Sequence, residues 1–467
     1  FSHFDTEAEM RSQSTANTFL IPWRPNIGRC LWRSVAGISF VLMLFSGAAM
    51  AATFTVDGTA DTIDANPGDG ICADASNRCT LRAAIIETNA LAGNDIINLP
   101  GGTYVLAIAG RGETFSFTGD LDITDDLTIV GDPAESPIID ADGIDRVLHV
   151  RDCVVSLSNL TITGGFERGS NVDGAAGILK ESGELSLDNC TITNNGGEGN
   201  GGLWNAIGTL SLTNSTVSNN TGGFGDPGGI QNSDEMTLSN CTVSNNVGGQ
   251  GGGIQNSGTM TVTNCTITGN RSAQGAGIDD TFAQTELKNT IVAGNLDGPD
   301  CSGPIQSNGH NIDSDGTCRL RHPADLPNTD PLLGPLADNG GLTLTHGLLA
   351  DSPAIDAGSE NCPPPARDQR GYGRPVDGDD DGLFICDIGA FEFGAVPLTG
   401  PTNLLTTVRD ANGNSSSDYA VATLSDDNVD LYWQDGADGS SIGEADLGYQ
   451  ELRALATLAD ISGNGVD

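Results

Sequence analysis

From residue 159 to residue 295 one short pattern returns six times: NLTITGG at 159, NCTITNN at 189, NSTVSNN at 214, NCTVSNN at 240, NCTITGN at 264 and NTIVAGN at 289. A second mark keeps the same step of 24 to 30 residues, with AGILKESG at 176, GGLWNAIG at 201, GGIQNSDE at 228, GGIQNSGT at 252 and AGIDDTFA at 276. Self-similarity at such a period specifies a solenoid, a propeller or an array, and the residue pattern chooses among them. Each period holds two or three runs of three to five residues in which apolar and polar positions alternate, with Gly or Asn between the runs. Helical and leucine-rich repeats space their apolar residues differently, so the runs read as short strands.

The alternation breaks phase once per period. Leu185 and Leu187 face one side and Ser186 and Asp188 the other, yet the apolar set resumes at Cys190 and Ile192, three residues after Leu187. An odd step in a period-two pattern demands a corner. Asn189, Asn214, Asn240, Asn264 and Asn289 stand there. Asparagine tolerates the left-handed backbone, and its amide is able to bond to the asparagine of the next coil, so these five are the expected structural ladder. The fold class that follows is all-β: a parallel β-helix, a solenoid with coils about 4.8 Å apart. Cys190, Ser215, Cys241 and Cys265 share one column; the serine marks it as a stack of small buried residues. A solenoid must also close its ends. CTLRAAIIETNA at 79–90 reads as a helical amino-terminal cap, with Thr80 at its start and Leu81, Ala84, Ile85 and Thr88 on one face. The repeat is lost from Asp330 to Phe393, a turn-rich stretch expected to cap the other end.

Composition agrees with this reading. Glycine supplies 64 of 467 residues and aromatics 5%, which suits many turns and few helices. A formal charge of −42, with Lys180 and Lys288 the only lysines, argues against nucleic acid or an anionic membrane as the partner. Calcium, or a neutral or cation-bridged glycan, fits such a surface. Arg24, Arg29 and Arg33 precede the apolar run VAGISFVLMLFSGAAMA at 35–51, which ends in small residues. This predicts a cleaved signal peptide, with Met10 as the candidate initiator, and no membrane span in the mature chain. Export permits disulfides, and three local pairs are expected: Cys72 with Cys79, Cys301 with Cys318, and Cys362 with Cys386.

Several of these segments resemble known families. CTLRAAIIETNA resembles the CSLREA motif found near the start of exported bacterial β-helix proteins, with Ala83 where that pattern has Glu. TDPLLGPLADNGGLTLTHGLLADSPAIDAGS at 329–359, DQRGYGRP at 368 and CDIGAFE at 386 resemble the choice-of-anchor Q domain that ends many of them. The resemblance spans most of 53–393 and implies a right-handed, pectate-lyase-like form of the parallel β-helix and an extracellular or bacterial cell-surface location. It is silent on activity, because such proteins resemble both adhesins and β-helix enzymes. DANGNSSSD at 410–418 and DISGNGVD at 460–467 resemble the Asp-rich loops of FG-GAP or VCBS propeller blades, whose continuation is expected beyond Asp467. The expected organisation is a signal peptide over 1–51, an amino-terminal cap over 52–100, the β-helix over 101–300, the carboxy-terminal cap over 301–395, and a linker with one partial blade over 396–467.

Oxygen-rich loops provide the metal candidates. Asp377, Asp379 and Asp381 take the first, third and fifth places of a calcium-loop pattern in VDGDDDG, and Asp410, Asn412, Asn414 and Asp418 alternate in the tail. For catalysis, Asp279 and Asp280 in AGIDD resemble one fragment of a polygalacturonase site, without the Asn-Thr-Asp, Gly-His-Gly and Arg-X-Lys pieces that complete it. His149, His310, His322 and His346 show no metal-ligand spacing, and Trp204 is either a sugar-stacking platform or part of the coil wall. The function expected is an adhesin-like or polysaccharide-binding protein without covalent chemistry, directed at extracellular polysaccharide or a cell envelope. The alternative is a carbohydrate-active enzyme, a pectate lyase or polygalacturonase-like hydrolase, on the same fold.

Overall fold

The computed structural model describes residues 51–168, 174–281, 283–359, 362–379 and 381–396, and the backbone of four further strands, Asn403–Val408, Asp418–Ser425, Asn428–Gln434 and Ser441–Leu447. Those four form an antiparallel sheet that opens its second strand at Asp418. The expected signal peptide and the expected calcium ligands Asp410, Asn412 and Asn414 lie outside the described residues.

Three strands make each coil. Leu203–Asn205 lies in the first sheet, Thr209–Thr213 in the second and Thr216–Ser218 in the third, before the chain crosses to Ile230–Asn232 of the next coil. Repetition gives parallel sheets of eight, ten and ten strands, here called the front, broad and flank sheets. Register is set by like meeting like. Leu185, Leu210, Met236 and Met260 stack in one column of the broad sheet and Leu187, Leu212, Leu238 and Val262 in the next, all of them buried. A slip of one residue would turn both columns outward. The parallel pairing continues beyond 300, through Ile312–Asp313 to Leu326–Pro327.

Two corners per coil make the columns possible. Asn189, Asn214, Asn240, Asn264 and Asn289 all take the left-handed conformation, with φ between 50° and 53°. The corner after the flank sheet does the same with Gly164, Asn194, Asn219, Asn245, Gly269 and Gly294. Only Gly and Asn occur there, because other side chains pay roughly 1–2 kcal/mol for that backbone.

The amide ladder expected at the first corner is discontinuous. Asn240 Nδ2 donates to Asn214 Oδ1 and Asn289 Nδ2 to Asn264 Oδ1, whereas Asn264 Nδ2 turns to the carbonyl of Pro363 and Asn189 and Asn214 both donate to Asp188. Continuous ladders run elsewhere. Beside the second corner, Asn195, Asn220, Asn246 and Asn270 each donate Nδ2 to the Oδ1 of the following asparagine at 2.9–3.1 Å, and Asn295 ends the series on Asp300 Oδ1 at 2.8 Å. Each receiving oxygen also accepts the backbone N–H of the previous member. Along the inner side of the front sheet, Lys180 Nζ donates to Asn205, Asn205 to Asn232, Asn232 to Asn256, and Asn256 to Asp280. The cysteine column works in the same manner: the Cys190 N–H donates to Ser215 Oγ, Cys241 N–H to Cys265 Sγ and Cys265 N–H to Thr290 Oγ1. Burial pushes the Cys190 thiol up to about 12, as suits a packing residue and not a reactive one.

The helix Leu81–Ala90 closes the amino end, with the Thr80 side chain accepting from the Ala83 N–H. Leu81, Ala84 and Ile85 join the main core, while Arg82 and Glu87, on the same helix, are also buried. Arg82 ties three carbonyls, of Ser116, Gly119 and Asp120, to Asp61, and Glu87 accepts the N–H groups of Gly68 and Gly70.

The segment expected as the carboxy-terminal cap divides between two roles. Its first part closes the end of the solenoid around the Cys301–Cys318 disulfide, with Cys318 and Leu320 packed into the main core. The turn-rich part from Asp330 onward folds back along the flank sheet. Thr343 Oγ1 donates to the carbonyl of Asn214, Gln369 Nε2 to Thr216 Oγ1, Ser244 Oγ pairs with His346 Nε2, and the Ala390 N–H donates to Thr266 Oγ1. A second hydrophobic cluster of Ile291, Ala293, Ile312, Leu348, Ala354 and Ile388 glues the two surfaces. It is a buttress over the wall, because the flank sheet offers outward hydroxyls and, in its last coils, outward aliphatics that need cover.

Two of the three expected disulfides form, Cys72–Cys79 and Cys301–Cys318. Cys362 and Cys386 are unbridged thiols held side by side, with Cys386 Sγ donating to the carbonyl of Ser359.

Asn220→Ala removes the acceptor of the Asn195 N–H and the donor to Ile192 O. The expected loss of stability is about 2–4 kcal/mol, read from the urea midpoint, for two buried groups left unpaired.

Candidate functional site

The front sheet presents one outward side chain per coil. In register these are Asp122, His149, Leu179, Trp204, Gln231, Gln255, Asp279 and Ser302. Their chain neighbours Leu121, Leu148, Ile178, Leu203, Ile230, Ile254 and Ile278 point into the core and are fully buried. Eight rungs at the parallel-strand spacing make a strip of about 34 Å. Trp204 Nε1 donates to Ser233 Oγ, Gln255 Nε2 to Gln250 Oε1, and Gln274 Nε2 to Asp279 Oδ2. Trp204, Gln231 and Gln255 remain partly exposed. The strip thus offers an indole and two amides at regular spacing, while Asp279, the next rung, is buried with both carboxylate oxygens already accepting from Gln274 and Thr281.

The paired-carboxylate candidate is undone by the pleat. Asp279 points outward, accepting from Thr281 Oγ1 and Gln274 Nε2, and Asp280 points inward, where it ends the Lys180 ladder and accepts from Thr285 Oγ1. Adjacent strand residues face opposite sides. The two carboxyls therefore cannot flank one glycosidic bond. Burial pushes the Asp280 carboxyl above the usual carboxylate range.

Three clusters bring potential ligand atoms within 4.8 Å of one another: Asp120, Asp122 and His149; Asp300, Asp313 and Asp315; and Asp356, Asp377 and Asp379. In the second, Asp300 accepts from Asn295 and Ser314, Asp313 from the N–H groups of Gly316 and Cys318, and Asp315 from Asp300 N–H and Thr317. That cluster is internally satisfied. The third corrects the expected calcium loop, since Asp356 replaces Asp381 beside Asp377 and Asp379, and Asp381 accepts the Leu383 N–H instead. Asp356 enters from a different stretch of chain, a separation that no loop pattern reveals. The first cluster was also invisible to spacing within one loop: Asp122 and His149 are one coil apart in the strip, and only the coil period brings them together.

The DQRGYGRP and CDIGAFE stretches turn out to hold the buttress together. Gln369 reaches Thr216, Thr242 and Thr343 at once. Arg370 pairs with buried Asp368 and lies over the rings of Phe391 and Tyr372. Arg374 faces Glu392, and Glu392 accepts the Asp387 N–H, so two carboxyls share one desolvated pocket. Burial, then mutual repulsion, pushes Asp387 upward, and burial pushes Glu392 upward. A depression of about 310 Å³ beside the second corner is lined by Phe166 and Thr221 with Gly and Asn residues, and among the described residues no charged group lines it.

Residues 146–313 match the family described as the right handed beta helix region. No curated protein and no solved structure matches the chain. The family match and the all-parallel sheets together define a right-handed β-helix. Among the described residues no helix is long and apolar enough to cross a membrane.

Because Asp387 and Glu392 hold their protons to higher pH in the folded chain than in the unfolded one, raising the pH withdraws stability from the buttress. Melting temperature is expected to fall between pH 5 and pH 8 in the wild type, and Asp387→Asn is expected to flatten that slope in thermal scans.

Proposed function

We propose that this is a secreted or cell-surface β-helix that binds an extended polysaccharide along the outward strip of the front sheet, without cleaving it. The observation that carries the reading is the in-register, partly exposed run from Trp204 through Gln231 to Gln255. An indole face stacks on sugar rings, and amides spaced coil by coil suit the hydroxyls of a repeating chain. The flank sheet is covered by the buttress, so the front strip is the wall where aromatic and amide groups meet. The −42 charge favours neutral or cation-bridged glycans. The CSLREA-like and choice-of-anchor Q-like segments, and the export signal read from the sequence, support a surface location and an adhesin-like role. Calcium belongs to the same reading, with Asp356, Asp377 and Asp379 as its ligands in the buttress; hard oxygen donors of this kind suit it.

The test is retention of the full chain on pectins, alginates and neutral polysaccharides, with and without calcium, while following chain cleavage. Retention without new reducing ends or unsaturated uronate products is expected. Trp204→Ala is expected to weaken binding roughly tenfold or more, the scale of losing an aromatic anchor, with the melting temperature nearly unchanged. Cleavage products would overturn the non-catalytic reading in favour of a carbohydrate-active enzyme. Absence of retention on every polymer would overturn the ligand class.

A further inference from the structure

At the amino-terminal end of the front strip His149 lies between two carboxylates. Nδ1 is 3.1 Å from Asp122 Oδ1 and Nε2 is 3.0 Å from Glu181 Oε2. Glu181 is itself held by Arg151 Nε at 2.8 Å, and it is the more exposed of the two acids. A neutral ring that donates Nε2–H to Glu181 directs the Nδ1 lone pair at a carboxylate oxygen. Two lone pairs at that distance repel, so a proton or a cation must stand between them.

The surroundings favour the cation. Asp122 is oriented through its other oxygen, which accepts the Ser116 N–H, and Asp120 is fixed through its carbonyl, which accepts from Arg82. Asp145, only 2% exposed, keeps Oδ2 without a hydrogen-bond partner among the described residues. Its charge acts on Asp120, and that of Asp122 acts on it, so the orphaned oxygen belongs to the same knot. Arg146 Nε lies 2.6 Å from Asp120 Oδ2 yet makes no well-angled hydrogen bond to it. Three carboxylates, of Asp120, Asp145 and Glu167, interact with the guanidinium groups of Arg146 and Arg111, and Asp122 adds a fourth carboxylate beside Asp120 and Asp145. The excess of negative charge in a buried site matches one divalent ion.

We propose that Asp120, Asp122 and His149 bind a divalent transition-metal ion of the Zn²⁺ class, with Asp145 close by to balance its charge. Their donor atoms lie within 4.8 Å of one another, and an ion with bonds of about 2.0–2.2 Å holds its donors about 3–4.4 Å apart, so only a small contraction is needed. The imidazole nitrogen selects a borderline ion over calcium, which prefers an all-oxygen set. Glu181 supplies the carboxylate that accepts the other ring N–H and fixes the tautomer, as metal-bound histidines require.

The full chain, stripped with chelator and dialysed against Zn²⁺, is expected to retain one equivalent by elemental analysis. His149→Gln and Asp122→Asn are expected to lose it, while Asp377→Asn with Asp379→Asn keeps it. Cobalt substitution is expected to give a visible d–d spectrum, and cadmium NMR of the wild type a shift that includes a nitrogen ligand. Absence of stoichiometric Zn²⁺ in the wild type would leave the proton as the bridging charge and overturn the proposal. So would uptake unaffected in His149→Gln. Should His149→Gln fail to fold, an all-oxygen cadmium shift in the wild type overturns it equally.

Discussion

A buried side-chain amide brings two donors and two acceptors into a place without water, and inside a narrow solenoid its only dependable partner is its own copy one coil away. Everything else about the coil depends on keeping those copies in step. The Asn195 to Asn295 series satisfies a side chain and a backbone N–H at every rung, and the series along the front sheet ties that wall to the carbonyls of the broad sheet. Unpaired, each such group would cost about 1–3 kcal/mol, a burden repeated with every coil. The hydrophobic columns then follow, since Leu can stack on Leu only where the corners return the chain to the same phase.

The walls of the solenoid have been put to different uses. The flank sheet is a docking surface for the chain's own distal segment, which reads outward Thr and Ser hydroxyls with Gln369, Thr343 and His346 and outward aliphatics with Leu348 and Ile388. The broad sheet carries outward Ser and Thr hydroxyls interspersed with charged residues such as Glu184, Asp188, Glu235, Glu286 and Lys288. The front sheet alone mixes an indole, amides, a histidine and carboxylates in a single file. Its two ends differ: the amino-terminal end is enclosed and densely charged, and the middle is open and neutral. That asymmetry is why binding is assigned to the middle and ion chemistry to the end.

Much of this architecture was legible in the sequence, because a repeat displays the same physical problem several times. The left-handed corner announced itself as an asparagine at a phase break, and the helix 81–90 as an amphipathic segment after a capping threonine. The continuous ladders were written there as well, in the second Asn of TNN and SNN and in the third position of ILK, LWN, IQN and IDD, but period alone does not tell an inward amide from an outward one. The side on which Asp279 and Asp280 face is a matter of pleat, and two adjacent acids look alike on paper. The path of residues 330–393 was not legible. Nothing in a turn-rich stretch states which of its surfaces is apolar until Leu348, Phe391 and Ile388 are seen converging on Ile291 and Ile312.

The front-sheet ladder begins on an ammonium, Lys180, and finishes on a carboxylate, Asp280, with only amides between. Each amide accepts on one side and donates on the other, so the two charged residues act as terminators and the asparagines as interchangeable links. Gene duplication of a coil anywhere between the terminators lengthens the array by one link and leaves every bond made. Duplication across either terminator strands a charge in the core. The interior hydrogen bonding therefore marks out which stretch of this protein is free to vary in length over evolutionary time, and which two rungs are its fixed bookends.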